Sequence, residues 1–282
     1  MRSGSARCTA AMVLALATLA ASAETLAAGA PAEPAARIGL AGSYPQAGDP
    51  AAFWILTSLV SQSSLSGNRA DWLESGTELL YRAEPGLYFG GRLETREREH
   101  ASDVLYSALV SQAVSRTLEW HAAVVVASDP VFSADRGYTA GLAWRVRPQM
   151  SVLMDYLKLE FVTGSIDQYK PGVTWWFTER NFLTGRYTYG RAFGEENFEA
   201  YLLRLDLGLS ERFRVALSAV HGSDPEKEIG IPRVIITTAD TYTAYGHFML
   251  APGLELILGA EFEDRNNVYR RTVGTVGLSL RF

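Results

Sequence analysis

The chain has 282 residues, 48 % of them hydrophobic, with a formal net charge of −5 and a mean hydropathy of zero. Past the N-terminus it holds no run of about 18 apolar residues, which excludes a helical membrane protein. Its acidic balance makes nucleic acid a poor partner.

Arg2 and Arg7 precede an Ala/Leu-rich apolar stretch over residues 9–21, and Ala21-Ser22-Ala23 supplies an A-x-A cleavage site. That is the pattern of a secretory signal over residues 1–23, too short to anchor in a bilayer; a cut after Ala28 is the alternative. The single cysteine, Cys8, lies inside this signal without a lipoprotein-type box. Cleavage therefore leaves a Cys-free chain with no disulfide, thiol chemistry or Cys metal site. It also removes Arg2 and Arg7, leaving 24 basic against 31 acidic residues, a net of −7. Residues 24–50, rich in Ala, Pro and Gly, read as a periplasmic lead-in with little fixed structure.

From residue 51 to 282 the chain reads as strands with no amphipathic helix. Tight connections such as Glu84-Pro85-Gly86, Arg147-Pro148-Gln149 and Ala251-Pro252-Gly253 alternate with longer polar ones over 64–71, 98–102, 128–136, 191–197 and 223–233. This asymmetry, with the short turns periplasmic, predicts an outer-membrane barrel. The fold class is all-β: one antiparallel transmembrane β-barrel of about fourteen strands, both termini periplasmic. The short connection at 163–165 makes twelve strands the alternative.

Period-two sorting carries the same reading. Leu254, Leu256, Leu258 and Phe262 oppose Glu255, Glu261 and Glu263, while Leu203, Leu205 and Leu207 oppose Arg204 and Asp206. Asp155 breaks the rule by sharing parity with Leu153, Leu157 and Leu159, which calls for a bulge or an interfacial depth. The polar rows place Glu74, Glu78, Arg92, Glu94 and Arg96 in the lumen. His121, Arg204, Asp206 and His247 join them, as do Glu255, Glu261 and Arg271. Paired, these charges fill the barrel; on opposite walls, they set a transverse field in a narrow pore. Aromatics near the strand ends predict two membrane girdles. They include Trp72, Tyr81, Trp120, Trp144, Trp175, Trp176 and the terminal Phe282, with Phe182, Phe198 and Tyr269 also at strand ends. The last strand alternates Val276, Leu278, Leu280 and Phe282 against Thr275, Ser279 and Arg281. Such an ending suits recognition by the barrel-assembly machinery.

Asp71-Trp72, Gly91-Arg92-Leu93-Glu94, Trp175-Trp176-Phe177, the run Asn181 to Tyr189 and the closing Gly277 to Phe282 resemble the YaiO-type outer-membrane β-barrel family. The resemblance spans roughly residues 53–282 and implies an outer-membrane location and a single barrel. It transfers no catalytic residue.

The sharpest chemical motif is His221-Gly222-Ser223, where one strand face could bring an imidazole to a hydroxyl, with Asp224 or Glu226 orienting the ring. His100-Ala101-Ser102 repeats the spacing, which lowers its weight. Metal-ligand spacing is missing around His121 and His247, and no cofactor signature stands out. The leading function is a non-enzymatic narrow channel, or a surface or export component, for small polar or saccharide solutes. The alternatives are an outer-leaflet lipid or lipopolysaccharide hydrolase using His221 and Ser223, and a structural barrel presenting loops. Expected partners are outer-membrane lipids and lipopolysaccharide, the assembly machinery, and envelope saccharides as candidate solutes. Mass spectrometry of protein recovered from membranes should place the mature N-terminus at Glu24.

Overall fold

The computed structural model describes residues 53–67, 70–193, 196–227, 234–266 and 268–282. The signal and the lead-in lie outside the described residues. The strands are β1 (Phe53–Leu65), β2 (Trp72–Glu84), β3 (Leu87–Arg98), β4 (Ala101–Ala113), β5 (Leu118–Ser128), β6 (Arg136–Arg147) and β7 (Met150–Phe161). They continue as β8 (Gly164–Trp176), β9 (Phe182–Ala192), β10 (Glu196–Gly208), β11 (Phe213–Lys227), β12 (Val234–Ala251), β13 (Leu254–Arg265) and β14 (Tyr269–Arg281). Each pairs antiparallel with its neighbours, and β1 closes on β14, so the sheet is a closed barrel of fourteen strands. The alternative of twelve fails at Phe161 and Gly164, which pair directly across a two-residue turn.

One end of the barrel carries Phe53 and Phe282 and is called the terminus end; the other is the far end. Register shifts in β2, β6 and β12 fall at Arg82/Glu84, Arg145/Arg147 and Met249/Ala251, each just before a tight turn at the terminus end. A bulge there bends the strand into its turn. The far-end connections depart from the expected long loops. Arg98 pairs with Ala101, leaving two residues between β3 and β4, and β11 and β12 stay paired out to Lys227 and Val234. Length predicted for loops is therefore spent partly on strand.

Outside, the barrel exposes an apolar belt that includes Leu93, Leu142, Met154, Leu203 and Leu258. Trp54, Tyr81, Phe89, Trp120, Trp144, Trp175 and Phe282 stand around it toward the terminus end. Trp54–Tyr81 and Phe213–Phe248 are ring pairs at 4.5 Å. Toward the far end the rim is mostly tyrosine: Tyr106, Tyr201 and Tyr242 are 55–56 % exposed, and Tyr156–Tyr169 and Tyr187–Tyr201 pair at 5.2 Å. Two amphipathic rims bounding an apolar belt are what a bilayer requires of a barrel exterior.

Two predicted girdle residues are elsewhere. Trp72 is 4 % exposed, on the inward parity of β2 beside Glu74, and packs edge-on against Tyr269. Trp176 faces inward and pairs with Phe182 at 6.0 Å. Closeness to a strand end sets height along the barrel; parity sets the side.

The anomaly at Asp155 resolves without a local bulge. Through β7 the ladder is regular, with Asp155 opposite Gly141 and Lys170, and Leu157 opposite Thr139 and Gln168. Asp155, Leu157 and Leu159 all face the lumen, while Val152 and Met154 face out at 39 % and 45 % exposure. Met154→Arg should therefore cost about 2–4 kcal/mol of unfolding free energy in liposomes, the penalty for a guanidinium at mid-bilayer. Leu157→Arg, three residues on but facing the lumen, should cost much less. Denaturant titration of the two variants checks the assignment.

Candidate functional site: a lumen with two walls

The interior of β13, β14, β1, β2 and β3 is a polar wall. Arg96 Nε donates to Glu94 at 2.6 Å and lies 3.7 Å from Glu74, and Arg92 also pairs with Glu94. Glu78 lies opposite Arg92 in the ladder. On β13 and β14, Arg271 NH2 reaches Glu261 and Glu263 at 2.6 Å each, and Arg265 pairs with Glu263. Between these sets β1 presents small hydroxyls, with Ser61 bonded to Thr275 at 2.9 Å. Burying such charges is tolerable because each cation has carboxylate partners. Removal of one partner alone costs about 3–5 kcal/mol.

A second group lies on strands β5 to β13, toward the terminus end. His121 Nε2 is 3.4 Å from Asp155, which also takes Arg186. This contact spans five strands, and glycines on the strands between make room for it. A Cβ at Gly141 would collide with Asp155 Oδ1, and one at Gly172 would meet Arg186 Cγ at 2.7 Å. Arg204 pairs with Asp206 at 2.7 Å, and Glu255 receives Arg214 at 2.8 Å with His247 at 3.4 Å.

Opposite the polar wall the lining is largely apolar. Leu105, Val125, Leu157, Leu159, Leu202 and Val220 face inward, with polar residues such as Thr139, Gln168, Lys170, Thr188 and Ser218 between them. The two walls enclose a cavity of about 400 Å³. At the far end its apolar side ends in Ile166, Ala192 and Phe198, against which Ile236 of β12 packs. β11 leaves β10 at Gly222, whose φ is +149°. Beyond it the β11–β12 ribbon brings Pro225 and Ile236 to the mouth.

Between β5 and β6 the chain turns into the mouth. The Asp103 carboxylate, fully buried, accepts backbone N–H bonds from Val131 (2.7 Å), Phe132 (3.1 Å) and Ser133 (2.6 Å). Phe132 is thereby held 4.8 Å from the Arg98 guanidinium, which also stands 4.2 Å from the Trp72 ring. Neither Asp103 nor Phe132 stands out in the sequence. The nearest signal is an aspartate on the polar parity of β4.

His221 and Ser223 do not form the predicted pair. His221 lies on the outward face with its Nδ1 2.7 Å from Asp240, its cross-strand partner, and borders a shallow exterior groove. Ser223, past Gly222, borders the interior cavity instead. The aspartate that orients the imidazole is Asp240, supplied by the adjacent strand.

No known protein family and no curated protein matches the chain. Solved structures do. A monoaromatic hydrocarbon channel, CymD, superposes with a TM-score of 0.60 at 10 % identity, over 82 % of this chain and 88 % of that one. A Pseudomonas aeruginosa FadL homologue gives 0.55 at 9 % identity, over 81 % and 90 %. The Ralstonia pickettii toluene transporter TbuX gives 0.52 at 8 % identity, over 83 % and 89 %. The fold is that of an outer-membrane barrel. At these identities the likeness is one of architecture.

Replacing Asp103 by Ala removes the acceptor for three buried N–H groups, each costing about 1–3 kcal/mol when unmet. The segment 129–135 should then come free of the mouth. Limited proteolysis should cut it faster in Asp103→Ala than in the parent, with the barrel intact.

Proposed function

We propose that this protein is a narrow channel of the bacterial outer membrane for small solutes, with both termini periplasmic. One observation carries the reading: the closed, lipid-belted barrel retains a cavity of about 400 Å³ between its two walls instead of a solid core. Eight-stranded barrels are filled by side chains, and those of sixteen to eighteen strands hold wide aqueous pores. Fourteen strands with paired charges along one wall suit a constricted path. The fold of a monoaromatic hydrocarbon channel and of a toluene transporter supports the same reading. The saccharide expectation draws less support, because the leucines of β7 line the path. Assembly through the Phe282 strand, contact with lipopolysaccharide, and kinship with the YaiO-type barrels belong to this proposal. They rest on the terminal strand, the exterior rims and the residue pattern respectively.

The test is single-channel recording of the refolded mature protein in a planar bilayer. Discrete steps are expected. Arg92→Ala leaves Glu94 less neutralised and should shift the reversal potential in a salt gradient toward cation selectivity. Glu94→Ala leaves Arg92 and Arg96 in excess and should shift it the opposite way. A silent bilayer, with the barrel shown folded by heat-modifiable gel mobility, overturns the proposal.

A further inference from the structure

The lipid-facing surface is not the same all the way round the barrel. From β4 to β13 the outward residues between the two rims are small, aliphatic or aromatic, as in Val124, Leu142, Met154, Val173, Leu203 and Leu258. On β1, β2 and β3 the same surface carries Ser58, Gln62, Ser75, Thr77 and Thr95, and β14 adds Thr272. Ser58 bonds Thr77 across the strands at 3.0 Å, and Ser75 bonds Thr95 at 2.7 Å. Ser58 stands seven residues in from the far end of its strand, the level of Met154 on β7 and Leu203 on β10, so the polar patch reaches into the belt. Each hydroxyl pair spends one O–H on itself and keeps a second, and hydrocarbon accepts none.

The far rim is broken over the same strands. Tyr106, Tyr156, Tyr169, Tyr187 and Tyr201 stand five residues in from the far ends of β4, β7, β8, β9 and β10. At that level β14, β1, β2 and β3 present Gly274, Val60, Thr77 and Leu93. From there to the far end no ring stands outward on these four strands among the described residues. Aromatic rings mark where a barrel meets headgroups. A gap in them, set above hydroxyls in the belt, marks a face that meets protein.

The charges at its edges say which protein. Arg270 and Glu97 point outward, each one residue in from the far end of β14 and of β3. The Arg270 side chain is 70 % exposed and holds Asp264 of its own barrel at 3.0 Å; Glu97 is exposed. A two-fold axis along the membrane normal, past the β1–β2 boundary, sets β14 of each copy against β3 of the other. Arg270 then meets Glu97 twice, and hydroxyls, which both give and accept, meet hydroxyls. A patch that complements itself in this way is what a two-fold contact requires.

We propose that β14, β1, β2 and β3 form the interface of a two-fold homodimer in the membrane. The Arg270–Glu97 contacts at the watery edge fix the register more than they add affinity. The hydroxyls within the belt find in the second copy the partners that lipid cannot supply. The dimer depends on the lipid belt and not on an open lumen, so it stands or falls apart from conduction.

The test uses protein produced from Glu24 onward, refolded into liposomes. Ser75→Cys and Thr77→Cys on the proposed face, and Met154→Cys on the far side of the barrel, are treated separately with a short bis-maleimide. The first two should give a band of twice the monomer mass and Met154→Cys should stay monomeric. Light scattering of the uncross-linked protein in mild detergent should give the mass of two chains. In the Ser75→Cys background, Glu97→Arg alone and Arg270→Glu alone should each lower the cross-linked yield, and the two together should restore it. Heat-modifiable mobility shows that each variant is folded. Equal cross-linking on both sides, none on the proposed face, a mass of one or three chains, or a double reversal that restores nothing overturns the proposal.

Discussion

A β-strand in hydrocarbon has no water to satisfy its free edge, so a sheet that crosses a bilayer must close on itself. Here closure is made between the first and last strands. Trp54 N–H donates to Phe282 at 2.7 Å and Phe282 N–H returns a bond to Trp54 at 3.0 Å. Residues more than two hundred positions apart must therefore meet before any strand is stable in lipid. The terminal phenylalanine serves that closure twice: its backbone completes the ladder, and its ring, 62 % exposed, joins the rim at the terminus end.

Closure at fourteen strands dictates the interior. The circumference is too large for side chains to fill and too small for a wide aqueous bore. One side carries arginines paired with glutamates; the other, toward the far end, is lined mainly by leucines and valines. Charges on the polar wall cost little while every partner is in place and much when one is lost. That wall therefore acts as a fixed electrostatic surface. The mouth is narrowed by a different device, one carboxylate gathering three backbone N–H groups, which sets Phe132 against Arg98.

The barrel was legible because lipid enforces a strict alternation. Glu255, Glu261 and Glu263 against Leu254, Leu256 and Leu258 leave one reading of which side is which. β7 was harder, because Val152 and Met154 outside and Leu153 and Leu157 inside are equally apolar, so period two shows a strand without showing its face. Asp155 marks the lumen row, and the leucines that share its parity face the lumen with it. Trp72 and Trp176 show parity outranking hydrophobicity: Trp72 shares its inward row with Glu74 and Trp176 with Thr174. The far-end mouth was not legible. Asp103 meets partners 28 to 30 residues along the chain, and nothing local announces them. The split between His221 and Ser223 likewise depends on one backbone torsion at Gly222.

The central claim is that leucines of β7 line a water-accessible path opposite a wall of paired charges. Cys8 is the single cysteine of the sequence, so in protein produced from Glu24 onward a single introduced thiol can be probed without background. Leu157→Cys and Met154→Cys should be made separately and exposed in a planar bilayer to a water-soluble, charged thiol reagent. The account predicts that Leu157→Cys reacts and its current falls, while Met154→Cys stays unlabelled in the lipid belt. Labelling at Met154 with none at Leu157 would contradict it.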